Sequence, residues 1–116
     1  MKLVRQPNNS TLCGQACIAT ICNITLEQAI IDVGKKGKTK TKDLIKGLKT
    51  NGVICGNRRK NGWPKGNAIL FYKIQNFYHW VLWYNKKFYD PNAGIFKTLP
   101  NYLKKSKYLS HLPLVS

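Results

Sequence analysis

Acidic side chains are scarce in this 116-residue chain: four Asp and Glu stand against twenty Lys and Arg, for a net charge of +16. A chain so poor in carboxylates presents a basic surface, which suits an acidic partner, either nucleic acid or an acidic protein surface. The competing reading is a lysine-rich face that is merely solvated, and charge alone does not choose between them. Arg58-Arg59-Lys60 is the one cluster with adjacent arginines. Histidine is rarer still, with only His79 and His111. The four cysteines, Cys13, Cys17, Cys22 and Cys55, form no C-x-x-C pair, so a metal site is weakly supported. No stretch has the apolar length of a membrane span, and Met1 to Pro7 lacks the apolar core of a signal peptide. The expectation is a soluble, cytosolic protein. In that setting Cys17, Cys22 and Cys55 read as small core residues, not disulfide partners. The abundance of Lys and Asn fits a low-GC bacterium or its phage. A hydrophobic fraction of 43% is ordinary for a globular protein, so the length predicts one domain over residues 1–116.

What is present falls into two halves. Pro7-Asn8-Asn9-Ser10-Thr11 is a run of turn formers, and the small, apolar residues 13–22 that follow predict a buried helix. Thr25-Leu26-Glu27-Gln28 fits a capping box for a second helix ending near Val33, with Gly34 as its stop. Lys35 to Lys40 is a basic loop. Thr41 can cap a third helix from Lys42 to about Lys49, with Leu44, Ile45 and Leu48 as its apolar stripe. After Asn51-Gly52 the pattern changes to strands: Val53 to Cys55, Ala68 to Tyr72, Tyr78 to Tyr84, and Phe88 to Asp90. Pro91 to Gly94 reads as a loop. Thr98-Leu99-Pro100 can start a short helix, and Tyr108 to Val115 reads as a last strand or coil. Helices first and antiparallel strands after predict an α+β domain with the N-terminal helices packed on a C-terminal sheet.

Cys13 stands where the loop becomes helix. A thiol there faces unpaired backbone N–H groups and the positive end of the helix dipole, and both favour the reactive thiolate. A base would have to come from elsewhere in the chain, and His79 is the candidate. Among the acids, Glu27 and Asp43 suit the first turns of helices and Asp32 suits an exposed helix position. Asp90 fits none of these. If Asn85-Lys86 is a two-residue turn, Tyr84 opposes Lys87, Asp90 opposes Val81 and Asn92 opposes His79. Asp90 is then a diagonal neighbour of His79 on one face, with Asn92 as the alternative orienter. A three-residue turn would send Asp90 to the other face. In the resulting mechanism His79 takes the thiol proton, Asp90 holds its tautomer, and Cys13 attacks an acyl carbon. The Cys13 N–H and the Gln6 side chain hold the oxyanion. Trp80, Trp83, Tyr84 and Phe88 read as core or groove wall.

Gln6, then Cys13-Gly14-Gln15-Ala16-Cys17-Ile18-Ala19, then His79-Trp80-Val81-Leu82 and Tyr89-Asp90-Pro91 together resemble the papain-like cysteine peptidases. Within these the chain is most similar to the bacteriocin-leader-processing (double-glycine) peptidases and their bacterial and phage relatives. The resemblance runs from Gln6 to about Gly94, with a Gln-to-Cys spacing one residue longer than usual. It implies a papain-like minimal domain in which Cys13 is nucleophile, His79 base, Asp90 orienter and Gln6 oxyanion donor. It implies a protein or peptide substrate and no cofactor. With no transporter domain in the sequence, the expectation is a stand-alone peptidase or isopeptidase. The same thioester chemistry would serve a deamidase or transglutaminase acting on Gln. A different class, an inert scaffold that binds nucleic acid through its basic surface, predicts salt-sensitive binding indifferent to Cys13→Ala.

Overall fold

The computed structural model describes residues 1–115. Three helices come first: α1 (Cys13–Cys22), α2 (Leu26–Val33) and α3 (Thr41–Thr50). The strands follow: β1 (Ile54–Cys55), β2 (Ala68–Ile74), β3 (Phe77–Tyr84), β4 (Lys87–Asp90), β5 (Gly94–Phe96) and, after the one-turn α4 (Asn101–Lys104), β6 (Lys107–Val115). No single helix among the described residues is long and apolar enough to cross a membrane.

The helices obey local chemistry with small departures from expectation. α1 is buried from Cys13 to Thr20, as a helix apolar on every side must be. It ends at Asn23, which takes the left-handed conformation and donates its N–H to the Ala19 carbonyl. Thr25 caps α2 by accepting the Gln28 N–H at 3.1 Å. The Gln28 amide does not complete the box; it donates to Asp32 Oδ1 at 2.8 Å, a charged acceptor one turn ahead. Asp32 also accepts from Asn51 Nδ2 at 2.8 Å, so it ties α2 to the end of α3 and is not free in solvent. α3 starts one residue early. Thr41 lies inside it, and Lys40 is the N-cap because Asp43 Oδ2 accepts the Lys40 N–H at 2.7 Å.

The six strands form an antiparallel sheet in the order β1-β6-β2-β3-β4-β5. The C-terminal segment is thus a strand, inserted between β1 and β2. β5 begins at Gly94, the last residue of the expected loop, because a turn closed by the Ala93 N–H on the Asp90 carbonyl at 3.2 Å sends the chain back along β4. One sheet face packs Ile69, Trp80, Leu82 and Leu112 against Ile18, Leu44 and Leu48 of the helices. The other packs Leu70, Val81 and Phe88 against Leu103 of α4. Each such side chain contributes about 1.5–3 kcal/mol by leaving water. α3 comes close to α1 and α2 at Gly47, where a Cβ would lie 2.8 Å from Ile18 and 2.9 Å from Val33.

The β3–β4 hairpin has the two-residue turn. Tyr84 pairs with Lys87, Trp83 with Phe88 and Leu82 with Tyr89. Asn85 and Lys86 have φ of 49° and 60°, the left-handed pair that matches strand twist. Asn tolerates this conformation; Lys does so at a cost of about 1 kcal/mol. Lys86→Gly should therefore stabilise the fold by up to about 1 kcal/mol, read as a higher urea midpoint at unchanged slope.

Candidate active site

Cys13 is the first residue of α1. Leu12 precedes it as N-cap and offers no side-chain acceptor, so the first-turn N–H groups are uncapped. Gly14 allows the basic loop to close over this helix start. A Cβ on it would lie 2.1 Å from Thr39 Oγ1 and 3.0 Å from Leu44 Cδ2. Gln15, fully buried, anchors the same loop by donating to the carbonyls of Lys35 at 3.1 Å and Gly37 at 2.8 Å. Cys13 itself is 8% exposed.

Extending the hairpin register one pair beyond Tyr89 sets Asp90 beside Val81, diagonal to His79 and on its face. The two side chains meet there, with His79 Nε2 2.7 Å from Asp90 Oδ1 and both residues buried. Asp90 also accepts the Asn92 backbone N–H at 2.8 Å and the Tyr102 phenol O–H. Asn92 thus serves the carboxylate through its backbone. Cys13 stands near enough to the His79 ring to bear on its protonation, and with Nε2 engaged by Asp90, Nδ1 is the ring nitrogen left for another partner. Burial alone would lower the imidazole pKa. The hydrogen bond to Asp90, and the charges of Asp90 and Cys13, outweigh it and raise the value to about 9. Burial likewise works against the Asp90 carboxylate, but His79, Tyr102 and the Asn92 N–H hold its pKa below the usual range. Burial and the neighbouring Asp90 charge push the Tyr102 phenol strongly up, so it stays a donor.

Gln6 arrives on a strapped segment. The Val4 N–H donates to Thr20 Oγ1 at 2.9 Å, Arg5 donates to the Asn92 carbonyl at 2.7 Å, and the Gln6 N–H donates to the Pro91 carbonyl at 3.0 Å. Its side-chain Nε2 donates to the Ser10 carbonyl at 3.0 Å and to Ser10 Oγ at 3.2 Å, so both amide hydrogens are directed at Ser10. Gln6, Cys13 and His79 line one groove of about 550 Å³. Phe71, Phe77, Tyr78 and Trp80 form its aromatic wall. His111 is engaged elsewhere, with Nδ1 2.5 Å from Tyr108 Oη.

The sequence reading missed Tyr102. It is an ordinary aromatic in a one-turn helix, and nothing local marks it as the third donor to Asp90. The other cysteines are held as thiols. Burial, then the charges of Cys13 and Asp90, raise Cys17 well above its ordinary value. Burial, Asp32 and Cys55 push Cys22 up to about 11, and burial raises Cys55. Iodoacetamide at neutral pH should therefore add one label per native chain, at Cys13, read by intact mass. The Cys13→Ala variant should take none.

No protein-family model and no curated protein matches the sequence. Among solved structures, the chain is similar to a double glycine motif protease from an AMS/PCAT transporter, determined in complex with the leader peptide. The TM-score is 0.67 at 21% sequence identity, covering 96% of this chain and 89% of that one. With its helices preceding a six-stranded antiparallel sheet, the chain has the papain-like α+β fold of that protease.

Proposed function

We propose that this chain is a cysteine peptidase that hydrolyses an amide bond in a protein or peptide. The observation that carries the reading is the His79 ring, bonded to Asp90 on one nitrogen and lining the same groove as the Cys13 thiol at the start of α1. The fold it shares with a protease bound to a leader peptide supports a peptide as the substrate. Cys13 reacts as thiolate beside the His79 imidazolium. The sulfur attacks the carbonyl carbon, and the C=O electron pair moves onto oxygen. The Cys13 N–H and the Gln6 amide, which exchanges its bond to the Ser10 hydroxyl for the substrate oxygen, stabilise that oxyanion. His79 then gives its proton to the leaving amine as the C–N bond breaks, leaving a thioester on Cys13. Water, deprotonated by His79, hydrolyses the thioester and restores the thiolate–imidazolium pair. Asp90 keeps the ring in the orientation that presents Nδ1 to the sulfur throughout.

The test is cleavage of a peptide library read by mass spectrometry. Cys13→Ala and His79→Ala should abolish cleavage, and Gln6→Ala should lower kcat by about 100-fold with little change in KM. Cleavage retained in Cys13→Ala would overturn the reading, and ammonia release from Gln without chain scission would reassign it to deamidation.

The same chemistry fixes the alkaline limb of the pH profile. The leaving amine needs the imidazolium proton, so kcat/KM should fall as pH rises through about 9, where His79 loses it.

A further inference from the structure

A second cavity, of about 350 Å³, adjoins the groove and shares Thr39, Phe71 and Trp80 with it. Its floor is aromatic: Phe71 and Trp80 have ring centroids 4.2 Å apart, and the Trp80 N–H donates to the Thr39 carbonyl at 3.4 Å. Its rim is cationic, formed by Lys40, Lys42 and Arg58. Trp80 directly follows His79, so floor and proposed catalytic ring are neighbours on one strand.

None of the chain's four carboxylates lines either cavity. Asp90 is taken by His79, and Asp43 pairs with Lys35 at 3.1 Å. Asp32 accepts from Gln28 and Asn51, and Glu27 sits in the first turn of α2. Among the described residues Lys40, Lys42 and Arg58 make no ion pair. The cavity therefore combines an apolar base with three cations at its mouth, none of them in an ion pair. A Glu side chain has the matching form, with methylenes for the aromatic floor and a carboxylate that an Arg guanidinium can bind with two parallel N–H donors. The same three cations would also meet a phosphate backbone, and the test below separates that ligand from a peptide.

We propose that this cavity is a specificity subsite that takes an acidic side chain, Glu or Asp, of the peptide substrate. The proposal rests on the peptidase reading for its location but not for its test. Full-length Cys13→Ala would be titrated with fluorescein-labelled octapeptide sublibraries in which one position is fixed as Glu, Gln or Lys. Anisotropy should show Glu bound about tenfold more tightly than Gln at one or two positions. Arg58→Glu and Lys42→Glu should each remove most of that preference while leaving binding of the Gln sublibraries unchanged. In the active protein the same changes should lower kcat/KM for Glu-containing substrates by more than for their Gln counterparts, chiefly through KM. Equal binding of Glu and Gln, a Glu preference of the same size at every position, or a preference that survives Arg58→Glu would overturn the subsite. So would a single-stranded oligonucleotide whose binding falls with Arg58→Glu while peptides show no preference for Glu. Peptides that bind selectively to Cys13→Ala but are not cut by the unmodified protein would leave the subsite standing and sink the peptidase reading instead.

Discussion

A carboxylate almost sealed from water is the constraint on which the structure turns. Moving a charge of this kind out of water costs several kcal/mol unless donors replace the lost hydration. Asp90 has three: the His79 ring, the Asn92 N–H and the Tyr102 phenol. They come from β3, from the turn after β4 and from α4. A slip of one residue in the hairpin would turn Asp90 to the helix-covered face, where Leu82 and Tyr89 pack, with no donor waiting. The strained pair Asn85–Lys86 persists because the register it sets is the one that satisfies this charge. The proposed catalytic geometry and hairpin stability are in this sense one requirement.

The opposite side of the groove is built from the start of α1 by a different principle, close approach. Gly14 gives the space, Gln15 the anchor, and the basic loop lies over the helix end that carries Cys13. The segment from Val4 to Gln6 is pinned to α1 at Thr20 and to the turn at Pro91 and Asn92. That turn is also the one that supplies an N–H to Asp90. The proposed oxyanion donor and the orienting carboxylate are thus referenced to the same few backbone atoms. Preorganisation of this kind costs nothing further at the moment of reaction.

How much of this could be read beforehand depends on the range of the interaction. α1 and α2 are legible because composition, caps and the Asn23 and Gly34 stops are local. The meeting of His79 and Asp90 is legible because a two-residue turn and a period of two fix which residues share a face. β6 is legible only as strand or coil, and its place inside the sheet is not legible, since a proline such as Pro113 argues against an interior strand. The contradiction resolves only in three dimensions: β1 pairs no further than Leu114, and only the Pro113 carbonyl is used on that side, by Gly56. Tyr102 is invisible for the same reason, because its partner is brought to it by the sheet. α3 starts one residue before the position its sequence suggests, because Thr41 looks like the better cap while the Asp43 carboxylate decides the position by holding the Lys40 N–H.

The basic charge of the chain raises a difficulty that the burial pattern answers. Lys38 lines the groove of His79, and Lys40, Lys42 and Arg58 ring the adjoining cavity. Like charges so placed oppose a protonated imidazole. They are exposed, however, and water and salt screen exposed charges over about 8 Å at physiological ionic strength. The His79–Asp90 contact is 2.7 Å long and withdrawn from water, where the same Coulomb attraction is much less screened. One buried anion at contact distance therefore outweighs several exposed cations farther off. This lets a groove attract an acidic ligand at its rim and still keep a proton on the ring at its base. The scarcity of acids follows from the same division of labour. Three of the four are spent on helix ends and ties between helices, the fourth is hidden beneath His79, and none is left at the rim to neutralise it.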